Sequence, residues 1–259
     1  MRAQGCRSSM RRVAYSISIT LLLVTTANCS NLEFNAVNAR NVFKDPKVAA
    51  LAGAGCDGNT KKMETLVKEG VDVNATGTKH GTVLMWVLFC KNVVGFTKLL
   101  ELGANPNYSP GSIDPVTWVA AGANEPKWLR IVLAHGGDPN IMASGDRSAL
   151  IVAEEYGRTE NMHMLINSGA DVNAKIGGFT IANYLVSDHK YDMLIYVLNH
   201  GYRHNLTLLA QMIDYQVSHE RFPISDKEKA DISKIKEMLN NLGVKYPVPP
   251  LGQHVRKSN

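Results

Sequence analysis

A surplus of charge of one sign is absent from most of this sequence. The whole chain has a formal net charge of +5, but four of its 28 lysines and arginines precede residue 29, with no acidic residue among them. The remaining 24 basic side chains are balanced by 23 acidic ones. A nucleic-acid-binding protein needs a broad positive field to attract the phosphate backbone. The near-neutral balance therefore excludes nucleic acid as the expected partner.

The sequence also lacks the short motifs that accompany common catalytic sites. It contains no Gly-x-Ser-x-Gly elbow, no P-loop and no His-Glu-x-x-His pair. Asp188 and His189 are adjacent, so their side chains do not face each other. His200 and His204 flank Gly201, which interrupts the helix that would align them as metal ligands. We therefore predict a non-enzymatic protein without a cofactor or a metal.

No apolar run is long enough to cross a bilayer, which requires about 20 residues. The run Val13–Val24 follows two arginines and precedes small residues, as in a bacterial export signal. Met10 is an alternative start that would make this signal more compact. The sequence predicts a signal peptide over residues 1–29.

The end of the signal has two interpretations. Cys29 resembles the cysteine of a lipobox, which would become the acylated first residue of the mature chain. Cleavage after Ala27 is the alternative. We favour lipidation of Cys29, because a cysteine directly after an apolar run is otherwise uncommon. Ser30 resembles the residue that follows the cysteine in lipoproteins sent to the outer membrane, so we expect a periplasmic protein anchored there by its lipid.

One five-residue sequence motif, which begins with glycine, recurs through the middle of the chain. Its glycines are separated by 33, 33, 33 and then 32 residues. A glycine just past a helix end adopts the left-handed conformation without a Cβ penalty. The Asp or Asn two places later can hydrogen-bond its own backbone and turn the chain. The five copies begin at Gly70, Gly103, Gly136, Gly169 and, in a degraded form, Gly201.

Helix openings recur at the same spacing. Thr82, Ser148 and Thr180 each precede an apolar segment, and Asp114–Pro115 takes their place in the third unit. A hydroxyl or carboxylate there caps a helix, and proline suits a first helical turn. Period, turn and opening together resemble the ankyrin repeat, with its Thr-Pro-Leu-His-x-Ala-Ala phrase, over residues 45–205.

The resemblance implies an all-α ankyrin-repeat solenoid of about five helix-turn-helix repeats with β-turn fingers. Three residues depart from the family by replacing the glycine between the two helices of a repeat: Lys91, Asn124 and His189. Outside the repeats we predict an N-terminal tether or cap over residues 30–44, a C-terminal helical cap over residues 206–243 and a tail over residues 244–259. The cap is expected because an open-ended stack needs a polar end.

Cys56 and Cys90 occupy nearly equivalent positions in adjacent repeats. A disulfide needs Cα atoms within about 7 Å, whereas packed helices lie about 8–10 Å apart. This spacing favours two separate thiols, although an oxidising periplasm would permit a bridge.

In ankyrin-repeat proteins the fingers and the exposed ends of the first helices form a concave binding face. The resemblance therefore implies a protein-binding site. By register, its residues here are Lys79, Phe89, Met142, Arg147, Glu155, Tyr156, Phe179 and Asp188. We expect the aromatic residues and Arg147 to be its anchors, because such residues are enriched at interface hot spots.

The export signal and the lack of catalytic motifs suggest a more specific function. The chain resembles exported bacterial ankyrin proteins that include immunity proteins against lipases delivered by type VI secretion. The resemblance implies that the partner is another protein, such as a lipase or phospholipase toxin, whose active cleft or membrane-docking surface would be covered. The alternative is a periplasmic scaffold or stress factor that supports a catalase or another envelope protein.

Overall fold

The computed structural model describes residues 36–78, 81–111, 113–143, 147–219 and 223–251. Phe34–Asn259 form one compact unit with its own hydrophobic core. The predicted signal peptide, Cys29 and Lys79 lie outside the described residues. Among the helices of the described ranges, none combines the length and the apolar character needed to cross a membrane.

The described chain is almost entirely helical, with two short strands. The helices, in chain order, are α1 (Ala36–Val42), α2 (Pro46–Asp57), α3 (Thr60–Lys68), α4 (Val83–Phe89), α5 (Val93–Glu101), α6 (Val116–Ala121), α7 (Pro126–Ala134), α8 (Ala149–Glu155), α9 (Thr159–Asn167), α10 (Ile181–Ser187), α11 (Tyr191–Asn199), α12 (Leu206–Ser218) and α13 (Asp226–Asn241). The strands β1 (Met142–Ala143) and β2 (Arg147–Ser148) pair antiparallel between α7 and α8.

The helices form consecutive antiparallel pairs that stack on one another. First helices pack on first helices, as in α2 on α4, α6 on α8 and α8 on α10, while second helices pack likewise, as in α3 on α5 and α7 on α9. This arrangement is an all-α ankyrin-repeat solenoid, as predicted. The pair α12–α13 packs against α10 and α11 in the same manner, and α1 packs on α2 at the other end.

Short side-chain caps begin several helices, as the sequence predicts. The Thr82 hydroxyl accepts a hydrogen bond from the Met85 amide at 3.2 Å, and Ser225 and Glu228 form a reciprocal capping box. The third repeat differs from the prediction, because α6 begins after Pro115 and has no side-chain cap. There the Thr117 amide donates to the Pro106 carbonyl at 3.0 Å, so the preceding turn satisfies an early amide of α6.

The recurring turns line up along one edge of the stack and are joined by a ladder of asparagines. The Asn107 side chain donates to the Gly136 carbonyl at 2.8 Å and accepts from the Asp138 amide at 2.9 Å. Asp138 in turn accepts from the amide of its own Asn140 at 2.8 Å. The same bonds recur from Asn74, Asn140 and Asn173. Each asparagine therefore links its own turn to the next repeat.

The prediction of two separate thiols is wrong, because Cys56 and Cys90 form a disulfide with a Cα–Cα distance of 5.3 Å. The reason is an unusually close approach of the first two repeats. A Cβ on Gly95 would overlap the Gly55 carbonyl, so glycine at both positions lets the backbones of α2 and α5 touch. Cys90 also lies 34 residues after Cys56, one more than the repeat period, at the C-cap of α4.

The two ends of the solenoid are covered by the flanking segments. At the N-terminal end, α1 occupies most of the described part of the predicted tether, and Ala39 and Phe43 are buried. At the other end, the extended residues 244–251 lie on the C-terminal cap. Val244 is buried, and the Gln211 side chain donates to the Pro249 carbonyl at 3.0 Å. Both segments therefore contribute to the core of the described unit.

Candidate protein-binding face

The predicted binding residues fall into two rows that follow the repeat. Arg147 and Phe179 occupy equivalent places, each directly before the residue that caps a first helix. Phe89 and Glu155 are each the last residue of a first helix, and Tyr156 and Asp188 are helix C-caps. One row therefore lies at the base of the fingers and the other at the ends of the first helices.

The two rows meet at Arg147, whose guanidinium is held from two sides. Its Nη1 donates to Glu155 Oε2 at 3.1 Å. The guanidinium also lies over the ring of Trp118, 5.2 Å from the ring centroid, which is within the range of a cation–π interaction. Trp118 Nε1 donates to the Arg147 carbonyl at 2.9 Å, so backbone and side chain of Arg147 are fixed on the same indole.

Trp118 is fully buried in the core. Its role as a platform for Arg147 was not predicted. The indole N–H was the one signal in the sequence, because a buried tryptophan usually donates a hydrogen bond to some acceptor. The sequence does not reveal that this acceptor is a carbonyl 29 residues away.

Apolar side chains are exposed on consecutive fingers. Met142 in β1 is 42% exposed, and Phe179 is 57% exposed. Phe179 pairs through its backbone with Ile176, across a turn in which Gly177 and Gly178 both have positive φ. Tyr108 is also exposed and follows Asn107 of the ladder, although the sequence did not single it out. We call Tyr108, Met142 and Phe179 the apolar finger row. Exposed apolar side chains grouped in this way are typical of an interaction surface.

Phe89 and Tyr156 are more strongly integrated into the fold than the finger residues. Both are half-buried and pack against the hydrophobic core. The Tyr156 ring lies against Gly122 of the preceding repeat, where a Cβ would come within 2.9 Å of its Cδ2. Arg158 lies over the same ring, 6.0 Å from its centroid. Alanine at these positions would therefore change packing as well as any binding surface.

Asp188 belongs to a charged network that joins the fourth and fifth repeats. The Glu154 side chain is only 1% exposed and accepts a hydrogen bond from Lys190 Nζ at 2.8 Å. Lys190 also donates to the Glu154 carbonyl and lies 3.8 Å from Asp188 Oδ2. Burial raises the pKa of the Glu154 carboxyl, and the nearby Asp188 charge raises it further, whereas Lys190 opposes the rise. No pattern in the sequence predicts that this glutamate is buried.

Several side chains of types that serve in catalysis are engaged by neighbouring side chains in the described chain. His163 stacks on Tyr196 with 4.2 Å between ring centroids, and His189 lies 2.8 Å from Gln216. Asp192 pairs with Lys227 at 3.1 Å. Among the described residues, no group of three or more His, Cys, Asp or Glu side chains is placed to hold a metal ion.

Comparisons with known proteins agree with this geometry. The ankyrin repeat family model matches residues 145–176. The crystal structure of an ankyrin repeat domain from Acinetobacter baumannii is similar to this chain with a TM-score of 0.59 and 22% identity, covering 75% of this chain and 98% of that domain. No curated protein sequence matches the chain. The fold is thus that of an ankyrin-repeat solenoid, and its repeats indicate a protein–protein interaction module.

Proposed function

We propose that this protein is an exported immunity protein that binds a secreted toxic effector, such as a type VI secretion phospholipase, and covers its active cleft or membrane-docking surface. It acts by binding alone, without catalysis. The observation that carries the proposal is the preorganised surface around Arg147. Met142 lies on the other strand of the same finger, and Phe179 occupies the place of Arg147 on the next finger.

Preorganisation explains why such a face suits an inhibitor. An arginine already held by Trp118 and Glu155 loses little side-chain freedom when a partner binds. The asparagine ladder fixes successive fingers relative to one another, so the exposed finger residues are presented at a constant spacing. A stiff surface of this kind can cover a cleft on another protein without first having to order itself.

The disulfide supports the export part of the proposal. Disulfides persist mainly in oxidising compartments such as the bacterial periplasm, and Cys56–Cys90 joins two repeats of the core fold. We further propose that Cys29 carries the lipid anchor of an outer-membrane lipoprotein. Labelling cells with radioactive palmitate should mark the wild-type chain and leave Cys29→Ser unlabelled. Equal labelling of both would remove the anchor from the proposal.

The test of function is protection against a toxin. A candidate phospholipase effector, sought first among the products of the neighbouring genes, is directed to the periplasm of Escherichia coli, with or without the present protein. We expect co-expression to restore growth and the purified proteins to form a complex. Met142→Ala with Phe179→Ala should weaken that complex at least tenfold, about 1.4 kcal/mol, because both side chains are exposed and contribute little to the fold.

Lys68→Ala with Lys234→Ala is the matched control, since both lysines are exposed and lie outside the fingers and the predicted binding residues. Protection by the Met142–Phe179 variant as strong as that by the wild type would remove this face from the mechanism. Retention of an oxidative-stress enzyme from envelope extracts, with no effect on any phospholipase, would favour the scaffold alternative.

A further inference from the structure

The beginning of α5 exposes two valines, one of them at a position where the other repeats have a charged residue. Val93 is 37% exposed and Val94 is 58% exposed. Val94 is the second residue of its helix, and the second residues of the other repeats' second helices are Lys61, Lys127, Glu160 and Asp192. The position therefore has no role in burying the core, and an apolar side chain there requires another explanation.

Lysines surround these valines on the same edge of the solenoid. The Asn92 side chain lies against Gly58 and donates to the Cys56 carbonyl at 3.0 Å, which places the start of α5 beside the start of α3. Lys61 and Lys62 therefore neighbour the valines.

Lys91 precedes the valines in the turn between α4 and α5. Lys61, Lys62 and Lys91 are all exposed, and none of them forms an ion pair within the described residues. The charge of Lys91 reaches Glu125, but a hydrogen bond from Lys127 is the main cause of the lowered pKa of Glu125, so this carboxylate is paired chiefly with Lys127.

The patch lies in the basic part of an otherwise acidic solenoid. Residues 36–98 contain nine basic and five acidic side chains, and eight of the nine are lysines. Residues 101–199 contain six basic and eleven acidic side chains. The patch consequently faces solvent from a region of positive field, whereas the predicted binding residues around Arg147 lie in the acidic region.

The residue types indicate which anionic partner fits. Protein interfaces are enriched in arginine and depleted in lysine, because the planar guanidinium binds carboxylates in a fixed two-bond geometry. A lysine ammonium is a compact charge that needs no such geometry, and it is attracted by the diffuse charge of an anionic membrane. We propose that the lysine–valine patch, formed by Lys61, Lys62, Lys91, Val93 and Val94, docks on an anionic lipid surface.

The proposal is independent of lipidation and of the protein partner, so it is tested on a chain that begins at Ser30. This chain retains the whole compact unit of Phe34–Asn259 and lacks both the signal peptide and Cys29. Its sedimentation is measured with vesicles of phosphatidylcholine alone and with vesicles containing three parts in ten of phosphatidylglycerol. We expect retention only on the anionic vesicles, and weaker retention as salt is raised.

Two variants locate the binding surface. Reversal of all three patch lysines to glutamate should lower partitioning at least tenfold, since each lysine near an anionic surface contributes about fivefold. Val93→Ser with Val94→Ser should lower it several-fold without changing the net charge. Circular dichroism melting curves establish that both variants are folded.

The matched control reverses the charge of three lysines away from the patch. Lys175→Glu, Lys234→Glu and Lys245→Glu change the net charge equally and should retain binding to the anionic vesicles. Several outcomes would overturn the proposal. They are equal retention on neutral and anionic vesicles, no retention on either, and an equal loss in the patch and control reversals. Capture of an acidic protein that depends on the patch lysines, in the absence of vesicle binding, would assign the patch to a protein partner instead.

Discussion

Loss of the Cys56–Cys90 disulfide should destabilise the first two repeats more than any other part of the chain. The two cysteines are 34 residues apart in sequence. In the chain-entropy description, opening a loop of this length costs about 3.5–4 kcal/mol of folding free energy at 25 °C. Engineered and natural bridges commonly contribute about 2–4 kcal/mol, so a destabilisation of about 3 kcal/mol is the expected value.

The solenoid should confine this effect to one end. Stability in repeat proteins is close to a sum of repeat and nearest-neighbour terms. The bridge joins α2 to the end of α4, so its loss weakens the contact between the first and second repeats. The ion pairs and ladder bonds of the later repeats are unaffected. Unfolding should therefore occur in two stages, with the N-terminal repeats melting first.

The assay compares the chain that begins at Ser30 with and without dithiothreitol, because Cys56 and Cys90 are then its only cysteines. The first two repeats form a unit of about 60–100 residues, for which 1 kcal/mol shifts Tm by about 4–8 °C. For a loss of about 3 kcal/mol we therefore expect the first transition to fall by about 12–24 °C. Hydrogen exchange should accelerate in α2 to α5 and remain unchanged in α8 to α11.

The double variant Cys56→Ala with Cys90→Ala provides the control. It should melt like the reduced wild type and be insensitive to dithiothreitol. Melting curves of the wild type that coincide under oxidising and reducing conditions would refute the expected contribution. Uniform acceleration of exchange over all repeats would refute the confinement of the effect to one end.

Three further predictions concern the backbone, the ladder and a buried charge. Lys91 has a φ of 57°, so Lys91→Gly should raise stability by up to about 1 kcal/mol in chemical denaturation; a loss of stability would contradict this. Asn140→Ala removes bonds to the next repeat and should cost about 1–2 kcal/mol, whereas Asn240→Ala on exposed α13 should cost little. Burial raises the pKa of Glu154, so the folded state binds its proton more tightly than the unfolded state. The contribution of Glu154 to folding stability is therefore present at low pH and declines as the pH rises through the raised pKa. The stability of Glu154→Gln relative to wild type should therefore increase between pH 4 and pH 7, and a constant difference would exclude this linkage.

The local parts of the fold could be read from the sequence because their causes are local. The glycines that end the second helices have positive φ, as expected for residues that must turn the chain without a Cβ. Asp138 hydrogen-bonds the amide two residues later, and Ser225 and Glu228 form their capping box. In each case donor and acceptor lie within three residues, so sequence spacing alone is sufficient to predict the contact.

The replacement of the inter-helix glycine shows where this local reasoning ends. Lys91 and His189 adopt the left-handed conformation that glycine would favour, with φ of 57° at both. Asn124, the third replacement, does not have a positive φ, so the left-handed conformation is set by the surroundings of the individual turn rather than by the repeat in general. The intrinsic backbone preferences of lysine and histidine would have predicted a negative φ at the two positions.

The order of the repeats, their turns and most of their helix caps were determined by the sequence alone, because each depends on residues that are close along the chain. Tertiary structure decided which distant residues meet. Gly55 and Gly95 had to bring two backbones together before Cys56 could reach Cys90. Trp118 supports Arg147, and Glu154 is buried beneath Lys190, only because consecutive repeats stack in one register. These contacts span about thirty residues, and their geometry arises from packing between repeats rather than from any local preference.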